Sequence, residues 1–291
     1  MDFAQQLVNG VQIGSVYALV AIGYTMVYGI AKMINFAHGD IIMVGSYVAL
    51  LFFQSSGLPV WGVIAATAAV SAVQGVTIER LAYKPLRGGS RMSALITTIG
   101  VSLMLQNGFL LIFGSSPKPF PNHFTGEGFT LGGVTVSRLT AITLVVTVVL
   151  MVLLTLFVNR TRVGKAMRAV SEDQGAAQLM GINIDTSISI TFAIGSALAA
   201  VAAVLYSSTY PLINPYMGSM LGLRAFIAAV IGGIGVIPGA MIGGFIIGIA
   251  EALIKRYISS AMADAIVFAL LIIVLLVKPS GLLGRNEREK V

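Results

Sequence analysis

The chain has 291 residues, 57% of them apolar and 10% charged, with 18 Lys and Arg against 11 Asp and Glu. Its mean hydropathy is +0.93. A soluble domain carries roughly a quarter of its residues as charges, so composition excludes most water-soluble folds and points to a polytopic membrane protein. With no cysteine in the chain, disulfide and thiolate chemistry are excluded too.

Stretches without Asp, Glu, Lys or Arg run over 3–31, 41–78, 92–117, 139–159, 186–223, 225–250 and 265–277. A helix rising ~1.5 Å per residue needs ~20 apolar residues to cross a ~30 Å hydrocarbon core. The first span is expected over 7–30. Met1-Asp2-Phe3 lacks the basic start of a secretory signal and the apolar run is too long for one, so this span is expected to be retained. The turn residues Ser55-Ser56-Gly57-Leu58-Pro59 divide the next stretch into spans over 36–54 and 58–78, followed by 92–113 and 139–158. Tyr210-Pro211 and Asn214-Pro215 oppose a continuous helix, because proline lacks an amide donor and restricts the residue before it, giving spans over 188–207 and 222–235. The run Gly232-Gly233-Ile234-Gly235-Val236-Ile237-Pro238-Gly239 is compatible with a reversal between two short helices or a kink in one, ahead of 239–256 and 264–277. The expected fold is an all-α polytopic integral membrane protein of eight or nine crossings with glycine-rich broken helices, a single domain over 1–291. Segments 114–138 and 159–187 are too short to bury a core of their own.

Basic residues indicate orientation, since basic loops stay on the cytoplasmic side. The segments 79–91, 160–185 and 278–291 each hold four Lys or Arg. With Lys32, a nine-span arrangement places 13 of the 18 inside and leaves Lys118, Arg138, Arg224, Lys255 and Arg256 outside. The short tail 278–291 is then cytoplasmic and the N-terminus external. The basic balance thus reports orientation, and no nucleic-acid partner is expected.

Polar chemistry is sparse. Asn35-Phe36-Ala37-His38-Gly39-Asp40 is wedged between two spans. A metal or hydrolase site is disfavoured, because His123 falls on the opposite face and a metal needs three or four converging ligands. Asp40 suits a helix cap, and the segment equally suits irregular backbone bordering a water-filled path. Within the spans stand Asn9, Gln12, Tyr17, Tyr24, Gln74, Gln106, Asn107 and Glu251. An ion-coupled carrier needs buried ionisable groups, and only Glu251 qualifies, placed to pair with Lys255 and snorkel to the interface. Glycine at Gly10/Gly14, Gly239/Gly243 and Gly244/Gly248 permits close helix packing. The glycine run lacks the third glycine and βαβ setting of a dinucleotide loop, and no Walker A sequence occurs, so if transport is driven by ATP another polypeptide must bind the nucleotide.

The loop 159–187 contains Ser171-Glu172-Asp173-Gln174-Gly175-Ala176-Ala177-Gln178-Leu179-Met180-Gly181-Ile182-Asn183. This predicts a short helix capped by Ser171 and ended by Gly181. Its apolar surface, Ala176, Ala177, Leu179, Met180 and Ile182, calls for a partner.

Together with Ile34–Asp40, Glu79–Arg87, Thr98-Ile99-Gly100, Leu105-Gln106-Asn107, Gly164–Ala169, the glycine run and Lys278–Gly284, this loop makes the chain resemble the LivH-type permeases of branched-chain amino-acid ABC transporters. The resemblance implies that Gly175-Ala176-Ala177-Gln178-Leu179-Met180-Gly181 is a coupling helix docking on an ATPase, with Gly175 in place of the family's glutamate. With alternating access as the expected mechanism, Arg168 and Asp173 are expected to hold that loop in shape, and Asn35, His38, Gly39, Asp40, Gln106 and Asn107 to be pathway or gate-structuring residues. The implied partners are a second LivH- or LivM-like permease, two ATPase subunits carrying ATP and Mg, and an external binding protein. The setting is the bacterial inner membrane and the cargo leucine, isoleucine, valine or similar amino acids, with no cofactor in this chain. An ion-coupled amino-acid carrier, an intramembrane enzyme using His38 and Asp40, and an ABC permease for another small solute are the competing readings.

Overall fold

The computed structural model describes residues 2–87, 89–124, 126, 128–131 and 133–284, so the end of the expected tail, 285–291, lies outside the described residues. The chain is mostly helical: α1 (Asp2–Ala31), α2 (His38–Ser55), α3 (Val60–Ile78), α4 (Arg91–Phe113), α5 (Arg138–Arg160), α6 (Arg162–Glu172), α7 (Gln174–Leu179), α8 (Ile184–Thr209), α9 (Met217–Gly232), α10 (Ile237–Tyr257) and α11 (Ala263–Val277). A π turn, Glu79–Tyr83, and a 3-10 turn, Lys84–Leu86, extend α3. Four short strands add two small antiparallel pairs, β1 (Lys118–Pro119) with β4 (Leu212–Ile213) and β2 (Phe129–Leu131) with β3 (Val134–Val136). Among the described residues, six helical stretches, in α1, α3 with its extension, α4, α5, α8 and α10, are long and apolar enough to cross a membrane, and α9 and α11 are shorter apolar helices.

Helix α1 is the centre of the bundle. Residues Val16 to Ile22 are buried without exception, with α5, α8, α9 and α10 packed around the helix. In lipid, helices associate by close van der Waals packing, which small residues allow. Gly10 and Gly14 lie against the backbone of Ile249 and Phe245 on α10; a Cβ would stand 2.6 Å and 2.9 Å from those Cα atoms. Across α8, Gln12 donates to Thr209 and Gly23 lies against the Gly195 carbonyl, so α1 and α8 run antiparallel. The glycine run resolves as a reversal: α9 ends at Gly232, Gly233 and Gly235 take positive φ, and α10 returns with Gly239 against Gly232.

Two helices begin inside the bundle. Lys32 takes φ 54° and ends α1, the chain folds back, and α2 starts with His38 level with Gly23, two turns short of the end of α1. Likewise α8 ends at Thr209 and α9 starts with Gly218 against Gly39.

Two sequence expectations are corrected here. Arg224 does not lie in an external loop, because α9 begins at Met217 and carries it into the bundle. Glu251 does not snorkel: it is 1% exposed, accepting from Tyr17 Oη at 2.6 Å and Arg224 at 2.8 Å besides its ion pair with Lys255. Arg224 also pairs with Asp264. The network ties α1, α9, α10 and α11 together, and two cations facing two anions keep the buried charge balanced.

Placing valine at Gly14 should cost about 1–3 kcal/mol by overpacking, read as a lower unfolding midpoint in detergent; valine at Gly100, which faces open space, should leave it unchanged. Glu251→Leu leaves Arg224 and Lys255 without their shared carboxylate and should destabilise the subunit by about 3–5 kcal/mol, with Glu251→Gln recovering part of the loss in the same assay.

Candidate functional site

The segment Asn35–Asp40 forms the start of α2. His38 N–H donates to the Asn35 carbonyl at 3.1 Å, making the turn that opens the helix. The N-cap position is Ala37, which has no side chain able to cap. Asp40 therefore does not serve as the expected cap: it stands in the first turn, where its charge favours the helix dipole, and its carboxylate reaches across to α4. Gln106 Nε2 donates to Asp40 Oδ1 at 2.9 Å, to Ser219 Oγ at 2.8 Å and to Ser102 Oγ at 3.1 Å. One amide thus joins α4, α2 and α9.

Gly39 is at the crossing of α2 and α9. A Cβ on Gly39 would collide with the Gly218 carbonyl, one on Gly218 would collide with the Gly39 carbonyl, and one on Gly222 would stand 2.6 Å from Gly39 Cα. Only glycine lets two helix ends meet backbone to backbone here. His38 fills the slot where α1 meets α8: its ring lies beside Gly23, edge-on to Tyr24 with centroids 4.6 Å apart. His123 instead stacks on Phe53 with centroids 4.3 Å apart, so the two histidines belong to separate neighbourhoods.

The structure therefore unites Asn35, His38, Gly39, Asp40 and Gln106. Asn107 stands apart, on the exposed face of α4, bonded to its own Leu103 carbonyl at 2.8 Å. Several buried polar atoms at the junction have no protein partner: both side-chain polar atoms of Asn35, His38 Nε2, Asp40 Oδ2 and the nearby Tyr47 hydroxyl. Ser219 and Gly218 stand in none of the motifs named in the sequence analysis, and the fold brings them against Gln106 and Gly39.

The loop 159–187 is built as two helices rather than one. Ser171 is not the cap: its hydroxyl donates to the Arg168 carbonyl inside α6. Asp173 breaks the helix in extended conformation and caps α7, accepting from Ala176 N–H at 2.9 Å. Gly181 ends it at φ 80°, the left-handed position that glycine occupies without strain. Ala177 is buried and anchors α7, while Leu179 is 90% and Met180 82% exposed. Gly175, Ala176 and Arg168 face outward on the same loop.

Behind this loop, Glu79 is buried and accepts from Arg87 and from Ser189 Oγ at 2.6 Å. Arg87 also pairs with Asp185, which Lys84 reaches at 2.7 Å. The Glu79–Arg87 segment therefore clamps the end of α3 to the start of α8, immediately after α7. Nothing in the sequence pairs these residues in advance; the π turn is what swings Arg87 back toward Glu79.

Residues 6–275 match the family described as branched-chain amino acid transport system / permease component. The chain is 48% identical to the high-affinity branched-chain amino acid transport system permease protein BraD of Pseudomonas aeruginosa, over 99% of this chain and 98% of that protein. It is 49% identical to the permease protein LivH of Escherichia coli K12 over the same shares. Among solved structures, PsaBC from Streptococcus pneumoniae in complex with Fab aligns at TM-score 0.47 and 15% identity, covering 96% of this chain and 93% of that one. A family match spanning nearly the whole chain, on a helical membrane fold with an exposed loop helix and no nucleotide motif, places this protein in the branched-chain amino acid transport system permease family.

Proposed function

We propose that this chain forms half of the membrane pore of an ATP-driven importer for leucine, isoleucine, valine and similar amino acids. A second permease, identical or related, completes the pore, two ATPase subunits hold ATP and Mg, and an external binding protein delivers the cargo. The observation that carries this reading is α7: a capped helix projecting Leu179 and Met180 into solvent, directly after α6 with its exposed Lys165 and Arg168. Exposed apolar residues on a rigid, charged loop are the mark of a docking surface. Force applied there passes through Ile182 and Asn183 into α8 and through the Asp185–Arg87–Glu79 clamp into α3. Alternating access follows when such a push re-packs the helices around α2 and α9.

The same reading assigns nine crossings, counting α2, α9 and α11, with the N-terminus external, the C-terminus cytoplasmic and the subunit in the bacterial inner membrane. The distribution of Lys and Arg supports it. An ion-coupled carrier is disfavoured, since Glu251 is engaged by Tyr17, Arg224 and Lys255 and cannot cycle a proton or sodium without breaking that network.

Gly181→Leu should strain the end of α7 and lower both leucine uptake and binding-protein-stimulated ATP turnover by about tenfold or more while the subunit still inserts; normal uptake in that variant sinks the coupling role of α7. Uptake in vesicles should persist in the presence of a protonophore when ATP is supplied, and should vanish when the ATPase subunits are omitted.

A further inference from the structure

The residues opening α2 and α9 repeat one another. Ile34, Asn35, Gly39 and Asp40 stand 179 positions before Ile213, Asn214, Gly218 and Ser219. The backbone repeats with them: His38 N–H donates to Asn35 O at 3.1 Å, and Met217 N–H, 179 positions on, donates to Asn214 O at 3.2 Å. The contacts at the crossing are reciprocal, Gly39 against the Gly218 carbonyl and Gly218 against the Gly39 carbonyl. Such mutual contacts are what a two-fold axis between equivalent residues produces.

The wider architecture follows the same rule. Residues 2–113 run as a long helix, a short helix starting inside the bundle, and two more; residues 184–277 run the same way. The first helix of each half packs on the third helix of the other, α1 on α10 and α8 on α3, and the second of each packs on the first of the other, α2 on α8 and α9 on α1. Because α1 and α8 are antiparallel, the halves are inverted, and α5 is the odd element that carries the chain back across to begin the second half.

We propose that the chain is an inverted repeat pivoting at Gly39–Gly218, in which Asp40 and Ser219 are equivalent positions and Gln106 is the positioning residue that ties them. This deepens the reading of Asp40 and Gln106 as gate-structuring residues and rests on it. A single amide from α4 spanning two equivalent acceptors sets the register between the starts of α2 and α9. Two inverted halves can rock about the axis that relates them while the contacts on that axis persist. Asp40 and Ser219 then differ in chemistry but share a role, so their side chains are exchangeable.

The test uses the complete transporter, with partner permease, ATPases and leucine-loaded binding protein reconstituted in vesicles. Asp40→Ser should lower leucine uptake, and the ratio of stimulated to basal ATP turnover, by about tenfold, the size of a lost charge-assisted hydrogen bond. Adding Ser219→Asp to that variant should restore both to within about threefold of the parent, since Gln106 regains one charged and one neutral acceptor. Loss in Asp40→Ser without recovery in the assembled double variant overturns the equivalence and leaves the gate reading standing. Normal transport by Asp40→Ser overturns both. Should the double variant not assemble, side-specific labelling decides: Met33→Cys and Leu212→Cys, equivalent positions in a chain otherwise free of cysteine, should react with an impermeant maleimide from opposite faces. Reaction from the same face overturns the inverted repeat.

Discussion

A helix that starts inside a bilayer leaves its first amide groups without partners, and lipid offers none. The whole bundle is arranged around that constraint at two places, the starts of α2 and α9. Both ends are enclosed by protein because Gly39 and Gly218 let them cross at backbone contact, with α1 and α8 walling the crossing and Gln106 of α4 supplying a hydrogen-bond donor to each side. The closely packed α1–α10 and α3–α8 pairs hold the walls. Without glycine at Gly39 and Gly218, the two helix starts could not meet at backbone contact.

Charge is used differently at the two ends of this machine. Within the bundle, Arg224, Glu251, Asp264 and Lys255 form a balanced network whose work is to join helices. Near the loop helix, Glu79, Arg87, Asp185 and Lys84 link the end of α3 to the start of α8. Neither set is free to carry an ion across, whereas the junction at Asp40 keeps several polar atoms unmatched.

Much of the fold was legible along the chain. The charge-free stretches located the membrane helices, the proline and serine-glycine breaks located the turns near 55–59 and 210–215, and Gly181 marked a helix end that has the positive φ such an end needs. Where the reading went astray, a competing local option existed. Ser171 and Asp173 both cap helices well, and the structure takes the second because α6 continues through Ser171. Asp40 stands three residues past the cap position, in the first turn, and its carboxylate accepts from Gln106. Arg224 looked like loop charge because the start of α9 follows two prolines and few strong signals.

The sequence by itself determined the membrane class, most of the helix breaks and the loop helix, since hydrophobicity, glycine, proline and capping residues act through neighbours a few positions away. Only the tertiary structure decided which polar side chains meet. Asp40 finds Gln106 across 66 positions and Gln106 finds Ser219 across 113, distances over which pairing depends on how helices cross. The crossing angles come from small residues packing against one another, and that information exists only once the helices are assembled.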